Sequence, residues 1–255
     1  MNLPPDVEEL LVPVALGGRR LSDDYAPNFW EYVRPWQKLE RIDAGLVGVP
    51  FDTPSIIRRG SMAAPSVIRQ FLGTNRDYEP SLALTIPREI HLTDFGDVRV
   101  VHTEPTQTNC RIERVLTAIY GLGTIPIVLG GDHSISYAVI RGLCNATAGR
   151  VGVVMFDAHT DVRISHYGEI TSGAPFRRVL EEIPGQPVQP GNLVEIGING
   201  WHNSQFYRDY LAQKGIRIFT AWEIHRQSME AIMAEALTLA AEGTDAIYAS
   251  VDIDA

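Results

Sequence analysis

An apolar run that ends in metal-binding side chains constrains the fold of this chain more than any other feature. Residues 151–163, VGVVMFDAHTDVR, begin with six residues that lack a polar side chain and continue into Asp157, His159 and Asp161. Such a run is typical of a strand that is buried on both faces of a parallel sheet. If the pleat continues, side chains two positions apart point to the same face. The sequence therefore predicts two carboxylates and an imidazole side by side at the end of a core strand.

Two other predicted strands end in the same way. Residues 124–134, TIPIVLGGDHS, lead into Asp132 and His133, and residues 247–255, IYASVDIDA, lead into Asp252 and Asp254. Helical patterns separate the predicted strands, which favours a parallel α/β sheet covered on both faces. Because ligands bind outside the carboxyl ends of the strands in such a sheet, the three acidic segments are expected to meet there.

The helical patterns differ in clarity. Residues 228–243, SMEAIMAEALTLAAEG, have an apolar stripe at helical spacing, and a shorter helix is expected near 174–183. Asn203 is expected to cap a helix that ends before Gly215. The stripe of the long helix consists of Met229, Ile232, Met233, Ala236, Leu237 and Ala240.

Composition limits the classes of protein. The 255 residues are 45% hydrophobic and 21% charged, which favours one large domain. The two cysteines cannot build a disulfide framework, so a reducing, cytoplasmic location is expected. The net charge of −9 argues against nucleic acid and anionic membranes as partners. No apolar run approaches the ~20 residues that span a bilayer.

Crowded carboxylates repel one another unless a cation lies between them. Oxygen and imidazole ligands without thiolates suit Mn²⁺ and its neighbours better than a structural zinc. A single Asp at a strand end is more often a helix cap, and a single His is more often a hydrogen-bonded core residue. Three such segments converging on one sheet edge favour a pair of divalent metals instead.

The motifs GGDHS, DAHTD and SVDIDA, with GVPFD and RRGSMAAPSVIR earlier in the chain, resemble the ureohydrolase superfamily of arginase, agmatinase and formimidoylglutamase. The resemblance implies a three-layer α/β/α sandwich with a mainly parallel central sheet, in a homo-oligomer, either a trimer or a hexamer. It also implies two Mn²⁺ per subunit and leaves Ni²⁺, Co²⁺ and Zn²⁺ open. One metal would be held by His133, Asp157, Asp161 and Asp252, and the other by His159 and Asp254 with Asp157 and Asp252 bridging.

The implied reaction is cleavage of a C–N bond in a linear amidine or guanidine. Two cations lower the pKa of a bridging water, so that hydroxide attacks the amidine carbon near neutral pH. Asp161 and His133 are the expected catalytic residues, with Asp161 moving a proton to the departing amine.

The segment after DAHTD is expected to select the substrate. Arginases and agmatinases typically carry a His before the glycine of this segment, where this chain has Ser172 before Gly173. The segment TSGAPFRR instead resembles the SSGTPFRQ type of formimidoylglutamases. Formimidoylglutamate carries two carboxylates, which Arg163 and Arg177 are suited to bind. A helix-surface ion pair stays open for Arg177, and a structural role in its loop for Arg163. His166 is a further substrate-binding candidate or a solvated loop residue.

The best prediction is therefore hydrolysis of formimidoylglutamate to glutamate and formamide. GGDHS is of the agmatinase-like form, so an agmatinase-like or guanidino-acid hydrolase that releases urea remains an alternative. A non-catalytic subunit of the same fold is an alternative of another class, since a fold does not determine function.

Residues 1–40, rich in Pro, Trp, Tyr and acids, are expected to form an N-terminal arm packed on the domain. Residues 41–255 are expected to form the arginase-like metallohydrolase domain. That domain is expected to be incomplete at its C-terminus, because the family pattern continues beyond SVDIDA.

Overall fold

The computed structural model describes residues 3–14, 25–86, 90–164 and 168–255. It divides into two compact units. The first comprises Met1–Thr53 and Arg58–Asp132, and the second comprises Pro54–Ile57 and His133–Ala255.

The first unit contains a mainly parallel sheet in the order β1-β6-β3-β7, with β2 also paired to β6. Strand β3 is parallel to both neighbours, whereas β1 is antiparallel to β6. Trp30 is buried against this sheet with Leu46 and Leu129. The boundary at residue 40 stays a prediction. The elements of this unit are α1 (Pro5–Glu8), β1 (Leu11–Val12), β2 (Val33–Arg34), β3 (Ala44–Gly48), α2 (Ala64–Leu72), β4 (Tyr78–Glu79), β5 (Leu84–Thr85), β6 (Leu92–Val98), α3 (Pro105–Gly121) and β7 (Ile125–Leu129).

The second unit contains a four-stranded sheet in the order β10-β9-β8-β11, and all of its pairings are parallel. Parallel strands connected by helices agree with the predicted α/β class. The elements are α4 (Ile135–Thr147), β8 (Val151–Phe156), α5 (Pro175–Glu182), β9 (Leu193–Ile198), α6 (Gln205–Lys214), β10 (Arg217–Thr220), α7 (Ala221–Arg226), α8 (Met229–Ala241) and β11 (Ala246–Val251).

Helices cover both faces of this second sheet. On one face, α8 packs its buried residues Ile232, Ala236 and Ala240 on β8, β9 and β10. On the other face, α4 packs against β8 and β11, where the hydroxyls of Ser136 and Tyr248 are 3.0 Å apart. The predicted stripe of α8 is therefore buried only in part, and its members Met229 and Leu237 remain 43% and 44% exposed.

Strand β8 is the buried strand that the sequence predicts. Val151 to Met155 are all nearly inaccessible, and the strand pairs with neighbours on both sides. The ladder continues one residue further, since the N–H of Asp157 donates to Ile196 O and that of Asp252 donates to Phe156 O. Because the strand pairing continues to these two residues, the carboxylates of Asp157 and Asp252 project side by side from the end of the sheet.

The predicted cap at Asn203 is wrong. The N-cap of α6 is Ser204, whose side chain accepts the N–H of Tyr207. The amide of Asn203 instead donates to the carbonyl oxygens of Ala158 and Asn199, at 2.8 and 2.7 Å. Asn203 thus joins the loop after β8 to the loop after β9, and the shorter serine side chain caps the helix.

Among the described residues, no helix is both long enough and apolar enough to cross a bilayer. The two cysteines are unpaired, with Cys110 exposed and Cys144 buried.

Gly152 is expected to be essential for the packing of α8 on β8. A Cβ at this position would lie 2.0 Å from the carbonyl oxygen of Ala240. Gly152→Ala should therefore lower the free energy of unfolding by about 1–3 kcal/mol, the usual cost of overpacking. Urea denaturation followed by circular dichroism measures the change. Gly191→Ala is the control, because a Cβ there would have nothing within 4 Å and the substitution should cost less than about 0.5 kcal/mol. Equal stabilities of the two variants would contradict the packing argument.

Candidate metal centre

The first group of potential ligands surrounds His133, just before α4. Its Nδ1 lies 3.0 Å from Asp157 Oδ2, 3.1 Å from Asp161 Oδ2 and 3.4 Å from Asp252 Oδ2. Its other ring nitrogen, Nε2, lies 2.8 Å from Ser250 Oγ on β11. The serine therefore fixes the ring so that Nδ1 faces the three carboxylates.

The second group is centred on His159. Its Nδ1 lies 3.4 Å from Asp157 Oδ1 and 3.2 Å from Asp254 Oδ2. Asp157 belongs to both groups, one oxygen facing each, and its side chain is only 1% exposed. The structure thus brings the six predicted ligands together at the ends of β8 and β11.

Backbone hydrogen bonds hold the ligand loops in place. Asp157 Oδ1 accepts the N–H of His159 at 2.7 Å, and Asp254 Oδ1 accepts the N–H of Ala158 at 3.2 Å. Asp161 has a left-handed backbone with φ of 42°, and its carbonyl accepts the N–H of Phe176 at the start of α5. A non-glycine residue pays about 1–3 kcal/mol for such a conformation, and functional sites are where this strain concentrates.

Burial and charge shift the protonation of the cluster. Burial lowers the pKa of His133, but hydrogen bonds and charges from Asp157 and Asp161 outweigh it and raise the pKa well above its usual value. Burial raises the pKa of Asp161, although His133 opposes the shift. Burial also raises the pKa of Asp254, with Asp252 and Asp157 adding to the effect. Without cations, protons must neutralise these crowded carboxylates.

The donor set fits divalent cations. His133, Asp157 and Asp161 offer ligand atoms within 4.8 Å of one another, and so do Asp157, His159 and Asp254. His133 Nδ1 and Asp157 Oδ2 are buried and lie 3.0 Å apart, and neither has a hydrogen-bond partner outside the cluster within the described ranges. Buried polar atoms normally have a partner, and a cation shared between these two would satisfy both.

Arg163 and Gly173 lie against each other near the cluster. The N–H of Arg163 donates to Gly173 O at 2.8 Å, and Nη2 donates to His202 O at 3.4 Å. The guanidinium carbon is 5.8 Å from the ring centre of Tyr207. A Cβ at Gly173 would lie 2.7 Å from Arg163 Cδ, so only glycine leaves room for this path of the arginine side chain.

The other predicted substrate residues differ in their surroundings. Ser172 Oγ accepts the N–H of Ile56 at 3.4 Å, which ties this loop to residues 54–57. Arg177 donates to Glu181 at 3.1 Å and lies 4.2 Å from the ring centre of Tyr210. These contacts match the helix-surface ion pair that the sequence leaves open, and none of the contacts among the described residues joins Arg177 to the ligands. His166 lies outside the described residues.

Two neighbours of the cluster are not identified by the sequence analysis. Ser250 hydrogen-bonds His133. It lies two residues before Asp252 and therefore on the same face of the strand, so period-two spacing could have identified it. The ring of His202 lies 5.8 Å from that of His159. His202 is in the loop after β9, and no sequence spacing connects it with the DAHTD motif.

A parallel α/β sheet whose strand ends converge on carboxylates and imidazoles is an arrangement that could hold a metal centre. The chain matches the arginase family over residues 42–255 and belongs to that family. A formimidoylglutamase of Halalkalibacterium halodurans is 35% identical over 237 residues, covering 91% of this chain and 72% of the relative. The predicted class of enzyme, a hydrolase of C–N bonds in linear amidines, is confirmed.

Solved structures confirm the predicted arginase-like α/β fold. The formimidoylglutamase of Bacillus subtilis superposes with a TM-score of 0.84 at 30% identity, covering 92% of this chain and 72% of the other. A Trypanosoma cruzi formiminoglutamase variant with Mn²⁺ superposes with a TM-score of 0.80 at 25% identity, covering 90% and 76%. The structural likeness extends over nearly all of the chain.

Ser250→Ala should weaken metal binding, because the hydrogen bond to His133 Nε2 orients the ligand nitrogen. Loss of such an outer partner costs about 10- to 100-fold in metal affinity. Titration of the metal-free protein with Mn²⁺ in a calorimeter measures the affinity. Ser136→Ala is the matched control, since it removes a serine hydroxyl that contacts Tyr248 and no predicted ligand. The orienting role is excluded if the two serine variants bind Mn²⁺ equally well.

Proposed function

We propose that this chain is a binuclear manganese hydrolase that converts formimidoylglutamate to glutamate and formamide. The observation that carries the proposal is the shared position of Asp157, which offers one oxygen to each of two adjacent ligand groups. The similarity to formimidoylglutamases and the TSGAPFRR segment support the choice of substrate.

His133, Asp157, Asp161 and Asp252 would hold one cation. His159 and Asp254 would hold the other, with Asp157 and Asp252 bridging. When bound, the cations supply hydroxide near neutral pH by lowering the pKa of water between them. The donor set supports Mn²⁺, as does the manganese-containing structure of a family member.

The reaction adds one water across the C–N bond. The water oxygen bonds to the formimidoyl carbon, and the bond from that carbon to the glutamate nitrogen breaks. One water proton goes to the glutamate nitrogen and the other to the remaining imine nitrogen, which gives glutamate and formamide. Asp161 is the residue that we assign to this transfer, because its buried carboxylate lies 3.1 Å from His133 Nδ1 at the centre of the first group. An Oδ atom of Asp161 takes the proton from water and gives it to the departing amine. His133 holds the geometry of that group.

Arg163 is the residue that we assign to a substrate carboxylate. It follows ligand Asp161 by two residues, and contacts with Gly173, His202 and Tyr207 hold its side chain. A guanidinium binds a carboxylate through two parallel hydrogen bonds. Because the amidine must lie at the cations, a carboxylate a few bonds away falls within reach of a long side chain.

A guanidino-acid hydrolase that releases urea is the second candidate, because its substrate would use the same metal centre and the same arginine, Arg163. Such a substrate has a guanidinium at one end and a carboxylate at the other, so Arg163 would bind it in the same way. A cationic substrate such as agmatine would instead be repelled by Arg163. A non-catalytic role has less support, since all six ligands lie together.

We further propose that the enzyme acts in the cytoplasm as a homo-oligomer, either a trimer or a hexamer. Two unpaired cysteines support a reducing compartment. The acidic net charge supports a small-molecule substrate rather than nucleic acid or an anionic membrane as partner.

Metal stoichiometry tests the binuclear arrangement. Asp157→Ala should remove both metals, since both groups lose a ligand, whereas Asp254→Ala should remove only the metal held by His159. Elemental analysis after dialysis gives the number of manganese ions per chain. Asp245→Ala is the surface control, because Asp245 accepts only the N–H of Arg150 among its described contacts. A full metal count in Asp157→Ala would contradict the shared role of this residue.

Arg163→Ala should lower kcat/KM for formimidoylglutamate about 10- to 150-fold, as expected when a charge-assisted hydrogen bond worth roughly 1.5–3 kcal/mol is lost. Its metal content should not change. Activity towards agmatine should be unchanged or higher, because a repelling charge is gone. Arg177→Ala is the matched control and should leave substrate preference unchanged, since its partners are Glu181 and Tyr210. Equal losses on acidic and cationic substrates would assign Arg163 a structural role only.

The experiment that tests the substrate is a direct comparison with Mn²⁺ present. Formimidoylglutamate, guanidinobutyrate, agmatine and arginine are supplied at equal concentration, and formamide or urea is measured. The proposal expects the highest kcat/KM for formimidoylglutamate. Turnover of only the cationic guanidines would overturn both the substrate and the role of Arg163.

A further inference from the structure

Glu195 is a carboxyl group that the proposed reaction does not use. It lies in the middle of β9 and is 0% exposed. Neither of its side-chain oxygens has a hydrogen-bond partner within the described part of the chain. A buried polar group without a partner costs free energy, so a native protein that retains one has a reason to do so.

The register of the sheet places Glu195 on the same face as the metal ligands. Its neighbours Val194 and Ile196 pack towards α8 on the opposite face. Glu195 pairs with Met155 on β8, and Met155 lies two residues before Asp157. Because side chains alternate along a strand, Glu195, Met155 and Asp157 point to one side of the sheet.

A row of paired residues crosses this face directly below the ligands. Ser250 on β11 pairs with Met155, which pairs with Glu195. The next row contains Asp252 and Asp157, two residues or about 6.6 Å further along the strands. At one end of the lower row, Ser250 supports His133 through a hydrogen bond. Glu195 lies two strands away in the same row, between Met155 and Ile218 on β10.

The charges of the ligands reach Glu195. Burial, followed by the negative charges of Asp161 and Asp157, raises the pKa of Glu195 well above its usual value, and His133 opposes this only in part. Burial therefore favours the protonated form of Glu195, which has one O–H to donate. The carboxylates of Asp161 and Asp157 are the acceptors on the same side of the sheet.

We propose that Glu195 is a positioning residue of the metal centre, a buried acid that supports the ligand carboxylates from the strand row beneath them. Its O–H donates a hydrogen bond to a buried water, and that water donates to a carboxylate oxygen of Asp157 or Asp161. Buried water is the usual partner of a polar group in such a position. Outer partners of this kind orient ligands and adjust their affinity for metal. The inference rests on the proposed binuclear centre.

Three variants separate this role from a packing role. Glu195→Gln keeps the size and a neutral donor, so manganese affinity should stay within about threefold of the wild type. Glu195→Leu removes the donor, and manganese affinity should fall about 10- to 100-fold. The metal-free Glu195→Leu protein should nevertheless melt at a higher temperature, because a buried carboxyl that has no partner among the described protein groups has been replaced by an apolar group. Met155→Leu, in the same row, controls for repacking and should bind manganese normally.

Calorimetric titration with Mn²⁺ and thermal melting of the metal-free proteins give the two readouts. Wild-type affinity in a folded Glu195→Leu protein would overturn the inference and leave the binuclear centre intact. Equal losses in the Gln and Leu variants would also overturn it, because a neutral donor would then have no effect. Should the leucine variant not fold, Glu195→Met takes its place with the same expectations. Failure of the wild type to bind manganese at all would refute the proposed function itself.

Discussion

Negative charge crowded around Asp157 is the constraint on which the rest of the site depends. Four carboxylates and two imidazoles meet at the ends of β8 and β11, and Asp157 contacts both imidazoles. Like charges so close repel, and burial strengthens the repulsion. The surrounding structure resists it with backbone hydrogen bonds to Asp157 and Asp254, with Ser250 on His133, and with a left-handed turn at Asp161. The fold therefore maintains an arrangement that cations would stabilise.

The sequence predicts those parts of the fold and site in which the spacing of residues along a strand determines the face to which a side chain points. An apolar run identifies β8 as a core strand, and period-two spacing places Asp157 on the face shared with Asp252. Asp161 is different, because it lies beyond the strand and reaches the cluster through a turn with positive φ. Period-two spacing predicts Asp161 on the same face as Asp157 and His159. Strand β8 ends at Phe156, however, so the continued pleat is wrong for Asp161 and the turn brings it to the cluster instead.

The parts that the sequence does not predict depend on contacts between distant segments. Asn203 and Ser204 are both good capping residues, and the structure uses the serine because the asparagine bridges two loops. Glu195 lies within an apolar stretch, but only the register against β8 places it below the ligands. Arg177 pairs with Glu181 and lies over the ring of Tyr210, contacts that depend on where those two side chains lie, whereas its role in substrate binding stays a prediction.

The turn that holds Asp161 also positions Arg163, and so connects the proposed metal site with the proposed substrate contact. The carbonyl of Asp161 accepts a hydrogen bond from the start of α5, while Arg163, two residues later, is bonded to Gly173 just before that helix. A residue larger than glycine there would collide with Arg163 Cδ. Asp161 and Arg163 are therefore held by the same short segment. Under the proposed function, the substrate would have to match the distance between the cations and the guanidinium, which favours small molecules with an amidine and a carboxylate a few bonds apart.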